Sequence, residues 1–479
     1  MTIARASGHP PVPVSFCAES DRRMVLWAAI LASSMGFIDA SVTAIAMPAM
    51  RDGLGASLAE AQWINAAYLL ALSALVLVGG AAGDRFGTAR VFVWGIWVFT
   101  LGSLACAGAQ DAGQMIAARA VKGVGAALMV PGSMAMVSRA WPRAERGKAL
   151  GMWASASTMT TALGPVLGGA LITWGGDLGW RLIFALNLPL GLMAVWLIRG
   201  RTPGDRGKPG VRVDVPGAAL ASAGLGLLAW VLIAPEAPRW VWPLALAALG
   251  GFVAWERVAP GPMLRLGLFR NRVLALTNLV TLALYFALNG VMFYLPMAAV
   301  SAWGVSALEV TAAFLPISIL IAVLSAPAGR MADRWGAGVL MAAGSALVAC
   351  AYAGLWLAAP LGQFWAQVVP LSALAGLGLG LVVAPLTAAA MQGAEEGEQG
   401  AASGLNNAVA RVAGLVAVAL LGRVAAWAYG PEAPGFGLAG DSAAHLAATG
   451  AGFGTVALIA SLAAAVAAAL ALTVPRPVR

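Results

Sequence analysis

The sequence predicts an all-α polytopic membrane protein with fourteen transmembrane helices, arranged as two six-helix bundles plus two inserted helices. Three observations carry this reading. Of 479 residues, 61% are hydrophobic and only 10% are charged, against roughly 25% charged in soluble domains, and the mean hydropathy is +0.85. Apolar windows long enough to cross a bilayer, roughly 20 residues each, recur along the whole chain. Finally, a charged turn, GAAGDRFG at Gly80–Gly87, returns as GRMADRWG at Gly329–Gly336. Each copy opens with Gly, carries Asp-Arg at the same offset, then an aromatic residue and a closing Gly, so the chain reads as two related halves.

Taken in order, apolar windows bounded by charge or turn residues fall at 26–47, 64–82, 91–108, 114–136, 150–172 and 181–198. These six make the first bundle, 26–200, preceded by a tail, 1–25. The basic segment Arg199–Arg212 opens a linker region, 201–272, that holds two further windows, 216–234 and 238–256. Six more, at 273–297, 308–329, 338–358, 364–390, 401–427 and 447–473, make the second bundle, 273–475. Parallel repeats of this kind are one architecture of secondary transporters, with the substrate site at the interface between halves. The inserted windows are read as free of interior charge, which gives that pair a peripheral, structural role.

The even count places both termini on one side, and Lys and Arg decide which. Alternate connections hold Arg85 and Arg90; Arg139, Arg143, Arg146 and Lys148; Arg199 to Arg212; Arg257 to Arg272; and Arg330 and Arg334. The intervening set holds Arg51 and Arg239. Both termini are therefore expected in the cytoplasm of a cell in whose cytoplasmic membrane the protein is embedded. One loop disagrees, because Glu395, Glu396 and Glu398 stand there without a basic residue; acidic residues weigh little in this rule.

Net charge of +9 is thus topological rather than a sign of nucleic-acid binding. The 3 cysteines, Cys17, Cys106 and Cys350, are too dispersed for a disulfide framework or a metal site. The N-terminal tail lacks an apolar signal core, so the first span is expected to serve as the insertion signal. There is no Walker A sequence, HExxH, GxSxG or histidine inside a span, which argues against an ATP-driven pump, a hydrolase or any other enzyme, and no cofactor or metal is expected.

Within the first span lies one carboxylate, Asp39. An ionised Asp at the centre of a spanning helix costs roughly 2.5–3.5 kcal/mol on the insertion scale, and such acids mark proton or substrate pathways. Asp39 is the leading candidate for proton binding. Arg119 in the fourth span either pairs with an acid or snorkels to the interface. Lys122, three residues on, shares its helical face.

These residues bring the chain close to a known family. IDASVTAIAMP (Ile38–Pro48) resembles the L-D-x-T-I-V-N-V-A-L-P of fourteen-span drug:proton antiporters of the major facilitator superfamily, with Ser41 and Ala44 in place of Thr and Asn. Gly80–Gly87, with Gly80, Asp84, Arg85 and Gly87, resembles the superfamily's cytoplasmic gate motif, and Gly329, Asp333, Arg334 and Gly336 are its second copy; Thr88 and Ala89 replace the usual basic pair. Physically, Asp84 can cap or pair across helix ends there. RAVKGVGAALMVPG (Arg119–Gly132) resembles R-x-x-Q-G-x-G-A-A, with Lys122 in place of Gln. Gly151, Thr160, Gly164, Pro165 and Gly168 resemble the antiporter signature, with Thr160 in place of a Gly. Asp214-Val-Pro-Gly and Pro262–Arg272 resemble the family's surroundings of the inserted pair and argue for fourteen spans over twelve.

The resemblance implies proton-coupled antiport that exports hydrophobic drugs or antibiotics by alternating access, with Asp39 and Arg119 in proton coupling. An importer or uniporter on the same fold, or a membrane sensor, is the alternative. Implied partners are a small hydrophobic substrate, protons and the lipid bilayer. For the cavity the candidates are Asn65, Tyr68, Lys122, Asn278, Asn289, Asn406 and Arg411; for the asparagines, packing between helices and substrate contact stand equal. Two cations at Arg119 and Lys122 are expected either to lower the pKa of a nearby acid or to disfavour cationic substrates. Glu309 is left open between substrate contact and a solvated helix start.

Overall fold

A computed structural model describes residues 16–234, 236–392, 399–431 and 434–475. The first part of the N-terminal tail and the acidic turn with Glu395, Glu396 and Glu398 lie outside the described residues.

The first half consists of α1 (Arg22–Leu54), α2 (Leu58–Phe86), α3 (Thr88–Gly108), α4 (Ala112–Ala140), α5 (Arg143–Gly175) and a sixth pass broken at Leu186 into α6 (Gly179–Ala185) and α7 (Asn187–Ile198). The inserted pair is α8 (Val215–Ile233) and α9 (Val241–Val258). The second half consists of α10 (Arg272–Ala302), α11 (Ala307–Trp335), α12 (Ala337–Ala358), α13 (Val369–Gln392), α14 (Gln399–Tyr429) and α15 (Ala443–Leu472). Among the described residues, 13 helical runs are long and apolar enough to cross a membrane, and the run Glu145–Ile198, 54 residues long, holds two passes. Fourteen passes result.

Helices overrun the apolar windows because polar caps lie outside the hydrocarbon. Ser57 and Glu60 form a capping box at the start of α2, and Ser306 and Glu309 repeat it at α11. This assigns Glu309 to a helix start, where its carboxylate accepts from the Ser306 amide, a backbone donor that would otherwise be orphaned. Asp111, Asn271 and Ser442 cap α4, α10 and α15 in the same way. The repeated turn has a backbone cause: Gly87 and Gly336, the closing residues of its copies, have φ of 104° and 93°. Each is the single residue between two helices, and a side chain there would strain the chain.

The two bundles meet along α2 with α14, α5 with α11, and α1 with α10. One large apolar core spans both halves, joining Ile38, Ile45 and Met50 of α1 to Val291 and Tyr294 of α10. Within the second half it continues to Ala471 and Val474 at the terminal face, while its inter-bundle part lies at the end of the molecule away from the chain termini. There Arg51 Nη1 donates to the carbonyl of Phe436 at 2.7 Å, and Gln62 Nε2 donates to Val418 and Ala419 carbonyls at 2.6 and 3.0 Å. Toward the terminal face the cores separate. Val25, Ala32, Phe92 and Met136 pack within the first bundle alone, while Leu268, Leu274 and Leu405 pack within the second. The molecule is sealed at the far face and split at the terminal one.

Against this scaffold α8 packs on both α2 and α14, through Leu225, Ala229 and Leu232 against Ala66, Leu415 and Ala419. α9 leans on α8 and is largely exposed to the surrounding lipid. The expectation that the pair lacks an interior charge fails at its base. Glu256 and Asp214 are 4% and 7% exposed. Asp214 Oδ1 caps α8 and accepts from Trp255 Nε1 at 2.8 Å, while Glu256 Oε2 accepts from the Leu264 amide at 2.9 Å. Glu256 closes the apolar window, and only the hairpin's return brings it against the α8 cap.

Candidate functional site

Asp39 lies mid-way along α1 and is 1% exposed, as is Arg119; Lys122 is 0% exposed. The three form one buried cluster. Arg119 Nη1 donates to Asp39 Oδ2 at 2.6 Å, and Lys122 Nζ donates to Asp39 Oδ1 at 2.6 Å. Arg119 Nε also donates to the carbonyl of Ile64 on α2 at 3.1 Å, and its guanidinium lies 4.4 Å from the centre of the Tyr68 ring. Lys122 Nζ stands 4.7 and 4.6 Å from the ring centres of Phe99 and Phe184. One carboxylate thus ties α1 to α4, and through Arg119 to α2. The cluster keeps a net positive charge of one.

Of the open fates of Arg119, pairing is the observed one. Lys122 was expected in the substrate cavity and is placed elsewhere. α3 and α4 approach closely through Gly95 and Gly125, and Gly102 sits against the Lys122 backbone, where a Cβ would come within 2.9 Å of its amide nitrogen. This packing directs the lysine inward to Asp39, behind Arg119.

Between the bundles lies a cleft with two lobes, of about 290 and 420 Å³. Asn65, Tyr68, Arg119, Asn289, Asn406 and Arg411 line the inner lobe. The outer lobe lies nearer the terminal face, reaching Gly80, and shares Tyr68 and Arg411 with the inner. Asn278 is not in this cleft: it is 4% exposed, donates to the Leu274 carbonyl at 2.8 Å, and its Oδ1 accepts from Asn406 at 3.3 Å. It borders an apolar lateral pocket between α8, α9 and the bundles.

The glycine-rich stretch of α5 carries close approaches. A Cβ at Gly168 would collide with Val42 of α1, and one at Gly164 with Ser41, so α5 rides on the turn of α1 that follows Asp39. Thr160, where the signature has Gly, shares a 3.0 Å hydrogen bond with Ser34. Pro165 lies within the helix. Gly151 faces open space and makes no such approach.

At the terminal face the gate turn is organised by a residue that sequence reasoning missed. Asp205, in the linker after α7, accepts from the Thr88 and Ala89 amides at 3.0 and 2.8 Å, capping α3. It also pairs with Arg139 at the end of α4, at 3.0 Å. The expectation that Asp84 caps or pairs is therefore corrected: its side chain is exposed and has no hydrogen-bond or ion-pair partner among the described residues, while its carbonyl accepts from the Lys208 amide at 2.8 Å. Asp333 and Arg334 of the second copy are also exposed and unpaired among the described residues. A signal did exist, since Gly87 stands at the N-cap of α3 with no side chain to cap it, which leaves the first amides to a carboxylate from elsewhere. Asp205→Ala is expected to lower stability by about 1 kcal/mol, the usual worth of a helix cap, with Asp84→Ala within about 0.5 kcal/mol of the parent. Unfolding of the two variants in detergent checks the contrast; equal losses would return the role to Asp84.

Comparison with known proteins agrees with this geometry. The family described as Major Facilitator Superfamily matches residues 29–418. A methylenomycin A resistance protein of Bacillus subtilis (strain 168) is 31% identical over 401 residues, covering 81% of this chain and 84% of its own length. A tetracenomycin C resistance and export protein of Streptomyces glaucescens is 30% identical over 436 residues, covering 86% of this chain and 78% of its own. Among solved structures, a bacterial homolog of the human lysosomal transporter Spinster superposes with a TM-score of 0.69 at 14% identity, over 95% of this chain and 97% of that one. With a matching family over most of its length, relatives at 30% identity or more and the shared fold, the chain belongs to the major facilitator superfamily of membrane transporters.

Proposed function

We propose that the protein is a proton-coupled antiporter that exports hydrophobic drugs or antibiotics across the cytoplasmic membrane by alternating access, with both termini in the cytoplasm. The observation that carries this is the buried Asp39–Arg119–Lys122 cluster beside a cleft open at one end only. Resistance and export in the names of the relatives support the direction of transport. The basic connections support the orientation, which makes the split face cytoplasmic and the sealed face external.

In this reading the structure is the state that loads substrate and has released its proton. Asp39 accepts from two cations, as an ionised carboxylate does. Adding a proton removes the charge that holds Arg119 and Lys122 and loosens α1 from α4. α1 is also the helix whose outer half forms the external seal with α10. Protonation therefore acts on the element that separates the two conformations, which is what coupling requires. A proton moving down 100 mV supplies about 2.3 kcal/mol, enough for roughly a fifty-fold accumulation.

The test is a resistance profile of expressing cells against a chemically mixed antibiotic panel, paired with purified protein in liposomes under an imposed pH gradient. Gained resistance and gradient-dependent flux are expected. Flux of the same compounds that ignores the gradient would replace the antiporter with a uniporter.

A further inference from the structure

Resting on the export reading, we propose that the cleft selects amphipathic anions and that Arg411 is the residue that receives their charge. Arg411 sits within α14, is partly buried, and lines both lobes of the cleft. Among the described residues it has no ion-pair or hydrogen-bond partner. A guanidinium at membrane depth needs a carboxylate, a backbone carbonyl, water or a ligand facing it, and the cleft offers no acid: neither lobe is lined by Asp or Glu. The nearest carboxylate chemistry, Asp39, is already engaged at both oxygens and hidden behind Arg119. The wall of the first bundle thus presents a net positive cluster, and the wall of the second presents Arg411.

Such a cleft repels a cation twice and offers an anion a planar, bidentate donor. Around the arginine, Tyr68 and Tyr285 supply ring faces and Asn407 a polar side chain. The outer lobe supplies the apolar part, with Phe37, Val76, Leu77, Met134 and Trp153 among its lining residues. The outer lobe, of about 420 Å³, is in the range that encloses drug-sized ligands, and the inner lobe extends it. The charge-binding arginine lies on α14 and the proton-binding acid on α1, in opposite bundles. Substrate and proton then do not compete for one carboxylate, and exchange is coupled through the movement of the bundles.

The experiment uses two dyes that share a xanthene frame and differ in charge, anionic fluorescein and cationic rhodamine 123, with the full chain in phosphatidylcholine liposomes under a proton gradient. Fluorescein is expected to be carried at least about tenfold faster than rhodamine 123. Arg411→Gln is expected to lose at least about tenfold of fluorescein flux, and Arg411→Lys, which keeps the charge but not the bidentate fork, to lose less while keeping the preference for fluorescein over rhodamine 123. Matching thermal unfolding of the variants separates charge loss from misfolding. Preference for rhodamine 123, or unchanged fluorescein flux in Arg411→Gln, overturns the anion assignment while leaving export intact. Failure of folded protein to move either dye counts against both readings. Fluorescein flux that disappears when phosphatidylglycerol is added assigns Arg411 to an anionic lipid headgroup and overturns its role in export.

Discussion

Asp39→Asn is expected to reduce substrate-driven proton release to background. The substitution keeps the shape of the side chain and removes the charge that Arg119 and Lys122 share. Two cations then remain in a site no more than 1% exposed, and stripping the partner from a buried ion pair costs about 3–5 kcal/mol. Loss of coupling and loss of stability therefore arrive together, and a second variant separates them. Adding Lys122→Gln to Asp39→Asn removes one stranded charge, so stability should partly recover while coupling does not. A pH-sensitive dye inside proteoliposomes reads coupling, and unfolding in detergent reads stability. Intact proton release in Asp39→Asn would remove this residue from the mechanism.

The second large effect is expected at Gly169, on α5 beside the last glycine of the antiporter stretch. A Cβ there would stand 2.8 Å from the Ala307 carbonyl oxygen and 2.8 Å from Leu308 Cα, both on α11. Backbone cannot step aside as a side chain tip can, so Gly169→Val pushes the bundles apart at the sealed end. Overpacking of this kind costs roughly 1–3 kcal/mol, which shifts an equilibrium between two conformations by about 5- to 150-fold. Transport should fall by at least about tenfold, with the open end moved to the external face. Gly151→Val is the control, because that position on the same helix faces open space and should transport like the parent. Equal behaviour of the two variants would mean that the α5–α11 approach does not gate access.

The fourteen passes were legible because bilayer crossing leaves a continuous apolar run, a signal that needs no knowledge of neighbours. The repeat was legible for a related reason. Gly87 and Gly336 hold the same positive φ between two helices, and a backbone demand of that kind leaves Gly in both copies. Asp39 stood out because a carboxylate inside an apolar run is costly. What the chain alone did not disclose depends on which helices meet. Lys122 shares a face with Arg119, but its choice between the cleft and Asp39 is made by the α3–α4 approach at Gly95, Gly102 and Gly125. Asp205 looks like any linker acid until the linker folds back over the α2–α3 turn. Glu256 becomes a buried carboxylate only when α9 returns against α8.

The inserted helices give the two seams between the bundles unequal surroundings. On one flank α8 lies across the joint of α2 and α14 and shields it with protein. On the other, the α5–α11 joint is bordered by exposed Leu163, Leu167, Ile319 and Val323, so acyl chains press directly on it. Lateral pressure and bilayer thickness consequently act on the two sides of the rocking motion with different leverage. Under alternating access, opening of the external face is therefore expected to respond to the surrounding lipid mainly through the bare α5–α11 seam.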